Sequence, residues 1–313
     1  MPFARPTRFA RPVLLIVGCG DIGMRVARLL VPRWRVLALT SSAARVAELR
    51  AAGVLPLLGN LDAPATLARL AGLADAVLHL APPPSQGETD PRTEALLAAL
   101  ARKGRVRRIV YGSTSGVYGD AGGARFDETR AVHPATDRAR RRVDAEARLR
   151  WYGRAHGATV TMLRIPGIYA LDRPGGDPRE RVARGTPVLA ADDDVHTNHI
   201  HADDLARACV VALHRGLPQR VVHISDDTEL KMGDYFDAVA GMFGLPRPPR
   251  LARQEAALRL PPMALSFMSE SRRLGNRRLK RELRLVLRYP TILEGLKSPA
   301  AGAASSRDRP SAR

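Results

Sequence analysis

An α/β fold with a doubly wound parallel sheet and a smaller C-terminal lobe is predicted by three features of this 313-residue chain. Apolar strand-like runs alternate with helical patterns through the first half. A glycine-rich turn joins the first run to the first helical pattern. The alternation weakens after Pro166, and the length leaves room for a second core beside the first.

The strand-like runs are Val13 to Val17, Val36 to Thr40, Val54 to Leu58, Ala76 to Ala81, Val106 to Tyr111 and Thr159 to Ile165. Between them, helical patterns cover Gly23 to Leu30, Ala43 to Ala52, Ala65 to Ala71, Pro91 to Arg102 and Ala135 to His156. Right-handed crossovers would then bring the strand C-terminal ends, and any ligand, to one edge of the sheet. Beyond Pro166 the pattern predicts a short strand near His199, a helix from Asp203 to His214, a strand from Val221 to Ser225 and helices after Lys231. The Pro-rich stretch Leu245 to Pro249 interrupts this part. The resulting division is a flexible leader over 1–12, a dinucleotide-binding domain over 13–165, a substrate lobe over 166–297 and a disordered tail over 298–313.

Gly18, Gly20 and Gly23 follow directly on Val13 to Val17, and Ile22, Val26, Leu29 and Leu30 form one stripe of the helix after them. In a strand–turn–helix unit the first glycine permits the turn, the second lets backbone approach a pyrophosphate, and the third lets helix and strand pack closely. Backbone N–H groups of the turn, with Asp21 and Ile22 at the helix start, would hold the phosphates without a basic side chain. The position at the end of the second strand that commonly carries a ribose-binding carboxylate is Thr40, followed by Ser41. Without that carboxylate, and with Arg45 nearby, NADP is expected in preference to NAD. Arg45 is read equally well as a solvated helix residue. Leu61 and Asp62 are expected beside the adenine, and Ala81, Pro82 and Pro83 near a ribose, an ordinary loop being the alternative.

The formal net charge of +19 raises polyanion binding. The arginines are spread over every predicted helix, however, and aromatic content is 4%, so nucleic acid is disfavoured as a partner. A small-molecule substrate is expected, with a monomer or homodimer as the assembly. No apolar run reaches membrane-spanning length, and the leader lacks an apolar core of the signal-peptide kind. The cysteines, Cys19 and Cys209, make no disulfide framework, which suits a cytoplasmic protein. His196, His199 and His201 lie near Asp192 to Asp194, Asp203 and Asp204. A metal site is not expected there, because Asp203 serves more simply as a helix N-cap. Ser113, Thr114 and Ser115 lack the G-x-S-x-G context of a hydrolase nucleophile.

Taken in order, the glycine turn, Leu61-Asp62, the run from Tyr111 to Gly119, the run from Leu163 to Tyr169 and the run from Asn198 to Ala206 resemble the extended short-chain dehydrogenase/reductases, in the branch of NAD-dependent epimerases and dehydratases. The resemblance covers most of Val13 to Leu296 and implies a Rossmann-type nucleotide domain. It implies that Thr114 polarises a substrate oxygen, that Tyr118 lies near the substrate and that Pro166, Gly167 and Ile168 contact the nicotinamide. It also implies oxidoreductase or epimerase-like chemistry on a small hydroxyl or carbonyl compound or a sugar nucleotide. Aligned on Pro134 and Glu146, the family's Tyr-x-x-x-Lys pair falls on Arg138 and Arg142. A guanidinium stays protonated and cannot exchange the proton the tyrosine moves, whereas Arg142 can still supply positive field to a ribose. The competing reading makes both arginines solvated residues on a helix that buries Ala139, Val143 and Ala147. Tyr118 is the favoured substitute phenol; Tyr152, Tyr169, His133 and His156 are alternatives. A non-catalytic NADP-sensing regulatory or scaffold protein is the second functional reading.

Overall fold

The computed structural model describes residues 11–297, except the side chains of residues 262 and 263. Most of the expected leader and the whole expected tail lie outside the described residues. In chain order the first elements are β1 (Val13–Val17), α1 (Asp21–Leu30), β2 (Arg35–Thr40), α2 (Val46–Ala51), β3 (Leu55–Leu58), β4 (Ala76–His79), α3 (Pro91–Ala101), β5 (Arg108–Thr114), β6 (Arg125–Phe126), α4 (Asp137–His156) and β7 (Thr159–Ile165). There follow β8 (Gly167–Tyr169), α5 (Pro178–Ala183), β9 (Val188–Leu189), β10 (His199–His201), α6 (Ala202–Arg215), β11 (Arg220–His223), α7 (Met232–Phe243), β12 (Arg250–Leu251) and β13 (Arg273–Leu274), among further short helices.

Seven strands form the central sheet in the order β11-β7-β5-β4-β1-β2-β3. β1 pairs in parallel with β2 and β4, β2 with β3, and β4 with β5. The order reverses after β3, so the chain winds outward twice from β1, as a doubly wound sheet requires. Leu14, Leu15, Ile16 and Val17 are all buried, since a parallel strand covered on both faces reads as a continuous apolar run. β3 lies at the sheet edge, and its Pro56 and its exposed Leu55 and Leu58 fit there, where one backbone face is unpaired.

Several expected boundaries shift for physical reasons. β5 begins two residues later than expected and runs on to Thr114. Its polar residue Ser113 is tolerated in the core because the hydroxyl donates to the buried Glu146 carboxylate at 2.7 Å. The helix expected over Ala65 to Ala71 is a 3₁₀ segment, Pro64–Leu70, whose buried residues Leu67 and Leu70 stand three apart and lie one above the other at three residues per turn. α4 does not bury Ala139, Val143 and Ala147 as a stripe: Ala139, Ala145, Leu149 and Tyr152 are buried, Val143 is half-buried and Ala147 is exposed. At 3.6 residues per turn that stripe passes through position 142. Asp203 lies inside α6 and does not cap it; its backbone N–H is held by Nδ1 of His201 at 3.2 Å. The strands β6, β8, β9, β10, β12 and β13 pair two by two outside the main sheet.

The chain divides into two compact units, each assembled from separate stretches of the sequence. One contains the described residues up to Ser113 together with Asp144–Met162 and Cys209–Arg220. The other contains Thr114–Val143, Leu163–Ala208 and the described residues from Val221 on. The second unit has its own core, in which Tyr169, Val188, Tyr235, Phe236 and Val239 are all buried.

Candidate active site

In the first unit the glycine turn has three distinct environments. Gly18 has φ +88, and a Cβ there would lie 2.3 Å from the Ala81 nitrogen; both facts exclude a side chain. The close approach arises because Leu80 and Ala81 donate their N–H groups to the Val17 carbonyl, at 2.7 and 2.9 Å. Gly23 packs the helix against the strand, since a Cβ would stand 3.1 Å from the Gly18 oxygen and 3.3 Å from Ile16 Cγ2. Gly20, by contrast, is exposed with ordinary φ of −79, and a Cβ there would meet nothing within 4 Å. It occupies the N-cap position of α1 without a side-chain cap, so open space lies over helix-start N–H groups that carry partial positive charge. That open cradle fits a diphosphate.

Around this turn, Asp21 pairs with Arg25 at 3.0 Å and Ile22 is buried. Cys19 is buried beside Met24, and burial pushes its thiol up to about 11, which leaves it a small apolar filler at neutral pH. The Thr40 hydroxyl is engaged with the backbone of Ser42, while Ser41 is exposed. Arg45 is not a freely solvated helix residue. Its Nη1 donates to the Cys19 carbonyl at 2.6 Å, and its Nε and Nη2 donate to Glu48, both at 2.9 Å. The guanidinium is thereby fixed to the glycine turn. Leu61 is half-buried and Asp62 exposed, Ala81 is buried, and Pro82 and Pro83 are exposed and half-buried.

In the second unit Thr114 ends β5, half-buried, and its Oγ accepts from the Gly116 N–H at 3.2 Å. Its own proton can still be donated. Pro166, Gly167 and Ile168 form the accessible part of an otherwise buried run from residue 160 to residue 170. Gly167 sits opposite His199 in the β8–β10 pairing. Arg138 is exposed, with its guanidinium 4.8 Å from the Phe267 ring centroid, and Arg142 is half-buried.

Tyr118 lies in the core. It is 0% exposed and packs edge-on against Phe126. His223 Nδ1 lies 3.0 Å from the Gly275 carbonyl, which can only accept, so Nδ1 carries the proton and Nε2 accepts from the Tyr118 hydroxyl at 2.6 Å. Arg164 Nη1 donates to the same hydroxyl at 2.7 Å. Burial and the nearby Arg164 and Arg278 bring His223 down to about 4, so the ring is neutral at physiological pH. The phenol thus has both its donor and its acceptor positions occupied by buried partners. Tyr118→Phe should cost about 2 kcal/mol, measured by denaturant unfolding, because it strips partners from a buried imidazole and a buried guanidinium. An unchanged midpoint would show that the hydroxyl carries no such load.

The other alternative phenols are also withdrawn. Tyr152 and Tyr169 are 1% and 2% exposed, and burial raises both above the ordinary tyrosine range. His133 is exposed and His156 half-buried. Sequence reasoning missed the buried Ser113–Glu146 bond and the Tyr118–His223–Arg164 group, since nothing local marks pairs so far apart in the chain. No cluster of three or more His, Cys, Asp or Glu side chains able to hold a metal occurs among the described residues. Both Cys19 and Cys209 are free and buried, and no helix among the described residues is long and apolar enough to cross a membrane.

Comparisons with known proteins bear on the fold and the family. A trifunctional UDP-glucose 4,6-dehydratase/epimerase/reductase of Arabidopsis thaliana is 25% identical over 164 residues, covering 49% of this chain and 24% of that enzyme. The chain therefore matches only about a quarter of that relative's length. Protein YeeZ of Escherichia coli strain K12 is 27% identical over 244 residues, covering 74% of this chain and 84% of YeeZ. A solved structure of a conserved protein of unknown function from Silicibacter pomeroyi DSS superposes with a TM-score of 0.77 at 31% identity, covering 91% of this chain and 96% of that one. The model of the NAD dependent epimerase/dehydratase family matches residues 14–225, a span that begins in β1 and includes the glycine turn, Thr114 and the Pro166–Ile168 stretch. With that span and this parallel sheet together, the chain belongs to the NAD dependent epimerase/dehydratase family.

Proposed function

We propose that this protein is an NAD(P)-dependent oxidoreductase or epimerase/dehydratase-like enzyme of the extended short-chain type, acting on a small hydroxyl or carbonyl compound such as a sugar nucleotide. The observation that carries the reading is the open, uncapped helix start at Gly20 between two glycines that the fold itself requires. In this reading the backbone of Gly18, Gly20, Asp21, Ile22 and Gly23 holds the diphosphate. Leu61 and Asp62 flank the adenine, Ala81, Pro82 and Pro83 border a ribose, and Pro166, Gly167 and Ile168 meet the nicotinamide. A bound nicotinamide would supply hydride transfer to or from a carbon of the substrate.

Thr114 polarises the substrate oxygen through a hydrogen bond from its hydroxyl, a role favoured by its half-exposed position and by an Oγ already oriented by the Gly116 N–H. Arg142 adds positive field, and Arg138 stands at the position of the family's tyrosine. Neither guanidinium moves a proton. The test is nicotinamide oxidation and reduction across panels of carbonyl compounds and nucleotide sugars. Thr114→Ala should lower turnover by about 100-fold; full turnover in that variant would remove Thr114 from the chemistry.

NADP is favoured over NAD by the absence of a carboxylate at Thr40 and by Arg45, anchored to the Cys19 carbonyl of the glycine turn. Arg45→Ala should weaken NADPH binding about tenfold and leave NADH within about twofold, by calorimetric titration. Equal losses for both would assign Arg45 to bracing the turn alone. A second reading, a nicotinamide-sensing protein without turnover, is favoured by the sequestered Tyr118 hydroxyl and by arginines at both positions of the Tyr-x-x-x-Lys pair. Nucleotide binding with no turnover on any panel would select it. A soluble cytoplasmic protein, monomeric or homodimeric, accords with either reading.

A further inference from the structure

Arg92 makes a cross-link that neither reading uses. It is the second residue of α3, a helix whose start is pinned by Asp90: the Asp90 carboxylate accepts from the Thr93 N–H at 3.0 Å and the Thr93 hydroxyl at 2.7 Å. From this base the guanidinium donates Nε to Asp62 Oδ1 at 2.7 Å and Nη2 to Asp62 Oδ2 at 2.6 Å. Its Nη1 donates to the Pro82 carbonyl at 3.2 Å and the Pro83 carbonyl at 3.4 Å. One planar side chain thus joins the segment after β3 to the segment after β4.

Sheet order gives this link its meaning. β3 and β4 lie on opposite sides of the β1–β2 pair, so at about 4.8 Å between neighbouring strands the two segments leave strands roughly 14 Å apart, and the guanidinium holds them where they converge. All four strands run in parallel, and their C-terminal ends, from which both segments leave, border the crevice where open α/β sheets bind ligands. One foot is itself braced, because Ala81 is hydrogen-bonded to Val17 and abuts Gly18. Asp62 is oriented by two parallel bonds, and its hydrogen bond to Arg92 holds its carboxyl below the usual range. It stays an ionised acceptor, with lone pairs left over for a ligand's amino group.

We infer that Arg92 is a positioning residue: it straps the two segments over the adenosine half of the nucleotide site and presents Asp62 to an amino-bearing base. The inference rests on the nucleotide reading above, and its test separates the two. Wild type, Arg92→Ala, Arg92→Lys and Asp62→Ala are titrated calorimetrically with NADPH, with NADH and with the hypoxanthine analogue of NADPH, which lacks the 6-amino group. An exposed ion pair contributes little to global stability, so melting temperatures should stay close to wild type.

Wild type should prefer NADPH to the hypoxanthine analogue. Arg92→Ala and Asp62→Ala should each weaken NADPH about tenfold and bring the two ligands near parity. Lysine keeps the charge but not the four-bond geometry, so Arg92→Lys should fail to rescue. The inference is overturned if the alanine variants bind like wild type, if they weaken both ligands while keeping the preference, or if lysine restores full binding. Wild type that binds none of the three ligands would instead sink the nucleotide reading itself.

Discussion

Gly18→Ala should destabilise the fold by about 3 kcal/mol and abolish nucleotide binding, whereas Gly20→Val should leave the melting temperature unchanged and still lose binding. The contrast comes from the two environments. At Gly18 the backbone is left-handed, with φ +88, and a Cβ would sit 2.3 Å from the Ala81 nitrogen and 2.6 Å from its Cα. A positive φ costs a residue with a Cβ about 1–2 kcal/mol, and displacing a backbone that is hydrogen-bonded to Val17 adds at least as much. At Gly20 the backbone is ordinary and the space over it is open. A valine fits there without strain but fills the volume a diphosphate would occupy. Thermal melts and titrations of both variants check the pair. A stable, fully folded Gly18→Ala, or a Gly20→Val that binds like wild type, would contradict this account of the turn.

Asp226 should make the protein progressively less stable as pH rises from about 4 to about 8, and Asp226→Asn should remove that slope. The side chain is 4% exposed; Oδ1 accepts the Thr228 N–H at 3.0 Å, and Oδ2 is buried without a hydrogen-bond partner. Burial, opposed by the Thr228 bonds and assisted by Asp227 and Asp204, raises its carboxyl to about 8. Tyr169 and Tyr235 also feel its charge, and both are held neutral by burial. In the unfolded chain the group ionises near 4. Below that pH both states hold the proton and there is no difference. Between 4 and 8 the folded state holds a proton that the unfolded state has released, so stability falls as pH rises, and the fall ends above the folded value. Asn keeps the shape without the charge. The difference between wild type and variant should grow by about 5 kcal/mol from pH 4 to pH 9 in denaturant titrations. Parallel profiles would show that the carboxylate is solvated or paired.

The parts of the fold written in local pattern were legible in the sequence. β1 and β7 fall where Val13 to Val17 and Thr159 to Ile165 predict them, because a strand buried on both faces needs little but a run of apolar residues. The glycine turn was equally legible as a junction of β1 and α1, although the clash that keeps Gly18 a glycine comes from Ala81, a residue distant in sequence, and Gly20 meets no neighbour at all. Tyr118 was not. Its neighbours Ser115 to Gly119 say nothing of His223, which lies 105 positions away, or of Arg164, 46 positions away, and only the folded chain brings them to the phenol. The same distance hid the bond between Ser113 and Glu146 and the link from Arg92 to Asp62. Arg142 shows a subtler failure: a stripe read at four-residue steps drifts around α4, and the buried face falls through Ala139, Ala145, Leu149 and Tyr152 instead.

In the proposed function, backbone N–H groups beside Gly20 bind the diphosphate of a nicotinamide dinucleotide. Calorimetric titration of the full chain with NADPH and NADH, alongside Gly20→Val, tests it most directly. The expected result is saturable binding of one dinucleotide per chain, tighter for NADPH, and loss of that binding in a variant that melts like wild type. Absence of binding to either dinucleotide at millimolar concentration, or undiminished binding by Gly20→Val, would contradict it.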